Sequence, residues 1–153
     1  MTTAPGLRPV GSDDLPELIE FLTIADLTLS GLDSPTVRLW VSRDAQGAIV
    51  ASTGFELADS GSDALIRSVA VFPDSRGLGW GLELARFALD AAADAGAGRA
   101  WLFSRRSGGF WQKLGFEPAD RSALARALAS THQVRLFAET GQLAREVAWS
   151  RPL

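Results

Sequence analysis

The 153-residue chain has no cysteine, no tyrosine, one histidine and one methionine. Without cysteine there is no disulfide, no thiolate nucleophile and no Cys-ligated zinc or iron–sulfur cluster. A lone imidazole, His132, excludes any site built on two. Without tyrosine no phenol is available as a catalytic acid. Lysine is nearly absent, since Lys113 is the only one among 15 basic residues, and the formal net charge of −3 leaves no broad basic face; nucleic acid is not an expected partner. No run approaches the roughly 18 apolar residues of a membrane span. Residues 1–11 contain Pro5, Gly6 and Pro9 and no apolar stretch of signal-peptide length, so the expected setting is the cytoplasm, with no membrane partner. No His/Asp/Glu grouping has metal-ligand spacing, and no metal is expected.

What is present fits one domain over residues 1–153: 46% of residues are hydrophobic and 22% charged, ordinary for a globular chain. Residues 7–10 read as a short opening strand, and Asp13 as the N-cap of a helix to about Ala25, with Leu15, Leu18, Ile19 and Leu22 forming the buried stripe. Residues 36–42, 48–58 and 64–72 read as three strands of an antiparallel meander, turned at residues 44–47 and 60–63. Pro73 stops the third. A helix over residues 79–95, a strand over 99–104, a short helix over 110–114, helices over 121–130 and 133–139 and a last strand over 145–150 complete the reading. The expected class is α+β, a mixed and mostly antiparallel sheet with helices on its faces.

The informative segment is the glycine-rich loop between residues 69 and 81, where a strand ends and a helix begins. A helix N-terminus carries unpaired N–H groups and the positive end of the dipole, which favours an anion. Gly77, Gly79 and Gly81 let backbone approach a ligand closely, and Arg76 adds a fixed charge. Together they read as a pyrophosphate cradle. A P-loop requires a Gly-Lys-Ser/Thr ending, and Leu78, Trp80 and Leu82 do not supply one. A dinucleotide fingerprint starting at Gly77 requires glycine at position 82, which is Leu82. What fits is Arg-x-x-Gly-x-Gly at Arg76, Gly79 and Gly81.

Residues 65–118 resemble the core of the GNAT superfamily of N-acetyltransferases. Val69, Ala70 and Val71, followed by Pro73 and the run Arg76, Gly77, Leu78, Gly79, Trp80, Gly81, resemble its acetyl-CoA motif. A crossover helix and strand follow at the family's spacing. Phe110, Trp111, Gln112, Lys113, Leu114, Gly115 and Phe116 are similar to its F-Y-x-x-L-G-F segment. The resemblance implies a sheet whose central strands splay to admit acetyl-CoA as co-substrate. It implies that Val69, Ala70 and Val71 line the pantetheine arm, that residues 76–81 hold the pyrophosphate, and that Phe110 adds a contact. It also implies direct attack by an amine, with no acyl-enzyme. The chain departs from the family where Trp111 occupies the place of the Tyr that protonates the leaving thiolate in many members.

Glu56, on the strand before the core, is the general-base candidate, acting through a water; the alternative is a solvent-facing carboxylate at a strand end. Arg67 lies two residues before Val69, and period-2 alternation places Arg67, Val69 and Val71 on one face unless a bulge near the splay intervenes. A guanidinium offers a bidentate fork to a carboxylate. Arg105, Arg106 and Ser107 follow the next strand and are candidates for gripping a second acidic group or the coenzyme phosphates. The alternative for Arg67 is a surface ion pair with Asp63, Glu56 or Asp120. Trp80 either covers the coenzyme or points to solvent; the other four tryptophans read as core or rim anchors.

Within the superfamily the segment order looks closest to the branch of arsenic-resistance-type and glutamate-acetylating enzymes, which act on acidic amino acids or their analogues. The expected reaction is acetyl transfer to the primary amine of such a small molecule. A protein N-acetyltransferase and a non-catalytic acyl-CoA sensor are the rival readings. Edge strands offer a surface for a homodimer.

Overall fold

Residues 6–75, 77 and 79–153 are described by a computed structural model. Arg76 and Leu78, both assigned above to the phosphate loop, lie outside the described residues, as do residues 1–5. The chain divides into two compact units: Met1–Phe55 with Arg67–Ala88, and Glu56–Ile66 with Leu89–Leu153.

In the first unit β1 (Arg8–Pro9) pairs antiparallel with β2 (Val37–Arg43), Arg8 opposite Val41 and Pro9 opposite Trp40. A 3-10 turn, Ser12–Asp14, leads into α1 (Leu15–Ile24). Asp13 is not the cap. Asp14 directly precedes the helix, and its Oδ2 accepts the Gly11 N–H at 2.8 Å. The buried stripe is Leu18, Phe21 and Leu22, while Ile19 is 42% exposed. Phe21 rather than Ile19 completes the face because the core side is filled by Val37, Leu39, Val41 and Ile49. The turn between β2 and β3 (Ile49–Leu57) is the expected one: Asp44 donates to the Ala48 carbonyl at 2.9 Å and Gly47 to the Asp44 carbonyl at 3.0 Å. The helix α2 (Trp80–Asp94) starts in this unit and is anchored by the Thr53 hydroxyl, which donates to the Leu84 carbonyl at 2.7 Å.

The strand expected over residues 64–72 is interrupted. It forms β4 (Asp63–Ile66) and β5 (Ala70–Val71), separated by Ser68 with φ +61°. The interruption is a bulge. Ala51 lies opposite Val71 and Ser52 opposite Ala70, whereas the Arg67 N–H donates to the Gly54 carbonyl at 3.0 Å, an offset different by one residue. A one-residue slip exchanges the faces of the sheet. Arg67 and Val71 therefore lie on opposite faces, correcting the alternation read from sequence. Val69 and Val71 pack with Trp80 and Leu84, while Ala70 packs with the α1 cluster.

In the second unit β4 runs parallel to β6 (Arg99–Phe103), with Asp63, Ala64 and Leu65 opposite Arg99, Ala100 and Trp101. β8 (Ala148–Pro152) pairs antiparallel with β6, and β7 (Glu117–Ala119) antiparallel with β8. Sequence reading passed over β7, since three residues holding a proline carry no strand period, and it started the last strand too early. Residues Gln142–Arg145 form a 3-10 turn before it. The short α3 (Gly108–Gln112) starts two residues earlier than expected. Helix α4 (Arg121–Ala127) is capped by Asp120, which accepts the Ala123 N–H at 3.1 Å. Helix α5 (His132–Thr140) is capped by Thr131 and ended by Gly141 in the left-handed region. Leu65, Trp101, Leu124, Leu128 and Val134 form the core of this unit. The α+β class with a mixed, mostly antiparallel sheet stands: β4 with β6 is the parallel pair.

Candidate functional site

The first unit holds Arg67, Val69, Ala70, Val71, Gly77, Gly79, Trp80 and Gly81; the second holds Glu56, Arg105, Arg106, Ser107 and Phe110.

The loop into α2 has the local chemistry of an anion site. Gly77 and Gly79 have φ +87° and +81°, a region that side chains with a Cβ rarely adopt. Around Gly77 an added Cβ would meet nothing within 4 Å. Helix α2 has 15 residues, long enough for a full dipole at its N-terminus. Just upstream, the bulge sets which way the main chain of β5 points. The Phe72 N–H donates to the Val50 carbonyl at 2.7 Å, and Ala70 is opposite Ser52. In an antiparallel ladder the intervening residues turn their N–H and C=O to the other edge, which is the direction taken by Val69 and Val71. The bulge is held by the Ser52 hydroxyl, which donates to the Ser68 carbonyl at 2.6 Å.

Trp80 does not point to solvent. It is 7% exposed and clusters with Val50, Ala51 and Leu84. Tryptophan was the unexpected core residue here because its place in a glycine run hides its helical register.

Arg67 is 4% exposed, so it is not the surface residue the alternative supposed. Its Nε donates to the Ser68 hydroxyl at 3.4 Å and an Nη to the Thr28 carbonyl at 3.5 Å, both long. Thr28 in turn meets the Ser30 hydroxyl at 2.9 Å. The Thr28 and Ser30 spacing in that turn-rich loop was the signal in the sequence for this contact.

Glu56 is fully buried at the end of β3, not a solvent-facing carboxylate. Its Oε2 accepts the His132 N–H at 2.5 Å, the first residue of α5. Arg105 is half exposed and ion-paired with Glu146 at 3.5 Å. Glu146 also accepts from Gln142 Nε2. Arg106 and Ser107 are exposed, and the Ser107 N–H donates to the Ser104 hydroxyl at 3.0 Å. Phe110 is half-buried and meets Trp111 edge-on at 5.0 Å, while Trp111 meets Phe116 at 5.4 Å. The indole at position 111 is thus a packing element. Among the described residues no group of His, Cys, Asp or Glu is placed to hold a metal ion, and no helix is long and apolar enough to cross a membrane.

Comparison with known proteins places this arrangement. No curated protein matches the chain. Among solved structures it is similar to Neisseria gonorrhoeae N-acetylglutamate synthase complexed with coenzyme A and N-acetyl-glutamate, with TM-score 0.74 and 18% identity over 97% of this chain. The chain spans only 35% of the length of that protein. It is also similar to Rv2747 from Mycobacterium tuberculosis in complex with CoA, with TM-score 0.75 and 18% identity over 97% of this chain and 99% of the other. A GNAT-family acetyltransferase from Staphylococcus aureus Mu50 gives TM-score 0.70 and 16% identity over 97% and 99%. At these identities the likeness is one of fold. Residues 9–116, well over half of the chain, match the profile of the Acetyltransferase (GNAT) family, and with the glycine loop, the bulged strand and the fold in agreement, the chain belongs to that family.

Proposed function

We propose that the protein transfers the acetyl group of acetyl-CoA to the primary amine of a small molecule, an amino acid or an acidic amino-acid analogue. The observation that carries this reading is the loop into α2, with positive φ at Gly77 and Gly79 beside a strand whose Val69 and Val71 main chain turns away from β3.

The N–H groups of residues 77–81 and the Arg76 guanidinium hold the pyrophosphate. The main chain of Val69 and Val71 aligns the pantetheine arm as an added strand would, with Ala70 between them, and Phe110 adds an apolar contact. Bound acetyl-CoA supplies an activated thioester carbonyl, at which the amine forms a C–N bond as the C–S bond breaks, with no acyl-enzyme. Glu56, through a water, takes the proton the amine loses. With no tyrosine in the chain, solvent protonates the departing thiolate. Arg67, a buried guanidinium on the strand before Val69, binds a substrate carboxylate through its planar fork. Arg106 and Ser107 assist at the mouth, as does Arg105 when it exchanges Glu146 for substrate. The similarity to an N-acetylglutamate synthase structure supports an acidic amino acid as acceptor. A cytoplasmic setting and a homodimer through edge strands belong to the same reading.

The test is thiol release from acetyl-CoA over a panel of about 50 amines that includes glutamate, aspartate, phosphinate-type analogues and short peptides. Turnover confined to small acidic amines is expected. Turnover of peptides alone makes the protein a protein acetyltransferase, and coenzyme binding without any turnover makes it a sensor.

A further inference from the structure

Among the described residues two that are not glycine have positive φ, Asp26 at +57° and Ser68 at +61°. Asp26 follows the last turn of α1, and the Leu27 N–H donates back to the Leu22 carbonyl at 2.9 Å. A left-handed residue is the ordinary way to close a helix like this. Ser68 closes no helix. It stands at the bulge between β4 and β5, where a left-handed residue is ordinarily glycine. Serine there carries a strain that glycine does not, and strain of this kind clusters at functional sites.

The side chain has a donor to spend. Ser68 is 4% exposed. Its hydroxyl oxygen accepts from Arg67 Nε at 3.4 Å, and its carbonyl is taken by the Ser52 hydroxyl at 2.6 Å. Among the described residues no acceptor receives the hydroxyl proton. Two parts of the acetyl-CoA reading bracket this group. Arg67, which that reading gives to the acceptor carboxylate, lies against the oxygen. Val69, the first residue given to the pantetheine arm, is the next residue in the chain. With the diphosphate at residues 76–81 and the arm passing Val71 and then Val69, the sulfur comes to the Ser68 end of β5.

We infer that the Ser68 hydroxyl donates a hydrogen bond to the coenzyme sulfur as the thioester opens. This rests on the acetyl-CoA reading above. The C–N bond forms, the C–S bond breaks with its electron pair passing to sulfur, and Ser68 stabilises that charge until solvent protonates it. The hydroxyl keeps its own proton throughout. The bond it receives from Arg67 Nε polarises the O–H and strengthens what it donates. A chain without tyrosine thereby has a donor for its leaving group.

CoA is that leaving group, so the test needs no acceptor amine. CoA is bound to the wild type, to Ser68→Gly and to Ser68→Ala, and its thiol is titrated by the ultraviolet absorption of the thiolate. The wild type is expected to hold the bound thiol about 10-fold more acidic than free CoA, because a hydrogen bond to the charged form favours that form. Both variants are expected to lose most of this difference and to keep their affinity for CoA in mildly acidic buffer, where the thiol is neutral. Arg67 also favours a thiolate, but it is present in all three proteins. A wild-type bound thiol no more acidic than free CoA, or an acidity that survives in either variant, overturns the inference and leaves the coenzyme reading intact. Failure of the wild type to bind CoA overturns both. Ser68→Gly suits the left-handed φ and decides alone if Ser68→Ala does not fold.

Discussion

The main-chain N–H of His132 donates to the Glu56 carboxylate at 2.5 Å across 76 positions of sequence. A strand-end carboxylate thereby satisfies one of the open donors at the start of α5 and sits at the positive end of that helix. Glu56 holds the helix in place whatever else it does. Replacing Glu56 with alanine is expected to cost about 1–3 kcal/mol in denaturant unfolding, since a buried N–H loses its acceptor. Glu56→Gln keeps an acceptor oxygen and is expected to cost less than half as much. If Glu56 is also the base, the glutamine variant loses the low-pH limb of its rate profile while remaining folded. A folded Glu56→Gln with an unaltered profile assigns the residue to architecture alone.

Arg67 calls for a conservative change, because it is buried. Arg67→Lys keeps the charge and removes the planar fork. The expected outcome is a KM for acidic amines raised about 10-fold, with the KM for acetyl-CoA unchanged and the circular dichroism spectrum intact. Equal change in both constants would place Arg67 in general support of the fold.

Arg43 binds Asp14 at 2.7 Å and Glu17 at 2.5 Å. The Gly11 N–H, followed by the Arg43 side chain, holds the Asp14 carboxyl below its ordinary 3.8. The Ile49 N–H, followed by Arg43, holds Glu17 below its ordinary 4.5. A carboxylate depressed in the folded state contributes stability that is complete above its unfolded value and is lost as pH falls through its folded one. The contribution of this cluster is therefore full above pH 4.5 and fades in acid. The side chains are 25–42% exposed, so solvent screening keeps it near 0.5–1 kcal/mol. Arg43→Met is expected to lower Tm by a few degrees at pH 7 and to approach the wild type as pH falls below 3.8 and through the depressed values of the two carboxyls. A constant difference across that range would contradict the assignment.

Gly54 lies where β3 crosses β2 too closely for a side chain. A Cβ there would collide with the Arg38 carbonyl oxygen and lie 2.5 Å from Leu39 Cδ2 and 3.0 Å from Leu39 Cα. Because two of these neighbours are main chain, the strand itself must shift. Gly54→Ala is expected to destabilise by about 3 kcal/mol in urea unfolding, and a loss under 0.5 kcal/mol would show that β2 yields readily.

The sequence carried the fold class and the loop into α2 because both are local. Glycines at fixed offsets from a helix start announce positive φ, and they stand at Gly77 and Gly79. What was hidden depends on contacts made elsewhere in the chain. Phe21 displaces Ile19 from the α1 face because the opposing strands fill one side and leave the other to solvent. The bulge at Ser68 lies inside an unbroken apolar run, and only pairing to β3 shows that one residue is extra. Glu56 reads in sequence as an ordinary strand-end carboxylate, since nothing near it announces a helix beginning at His132. Trp80 falls inside the helix expected over residues 79–95, but the flanking glycines mask which face of that helix it takes.

The central claim is that the turn between residues 76 and 81 binds the diphosphate of a coenzyme, and titration calorimetry of CoA into the wild type and Gly79→Asp tests it most directly. The aspartate brings a side chain to a position with φ +81° and a negative charge to the phosphate site. Saturable one-to-one binding by the wild type and at least 100-fold weaker binding by a folded Gly79→Asp are predicted. Equal affinity in the two proteins, or no binding by the wild type, would contradict the account.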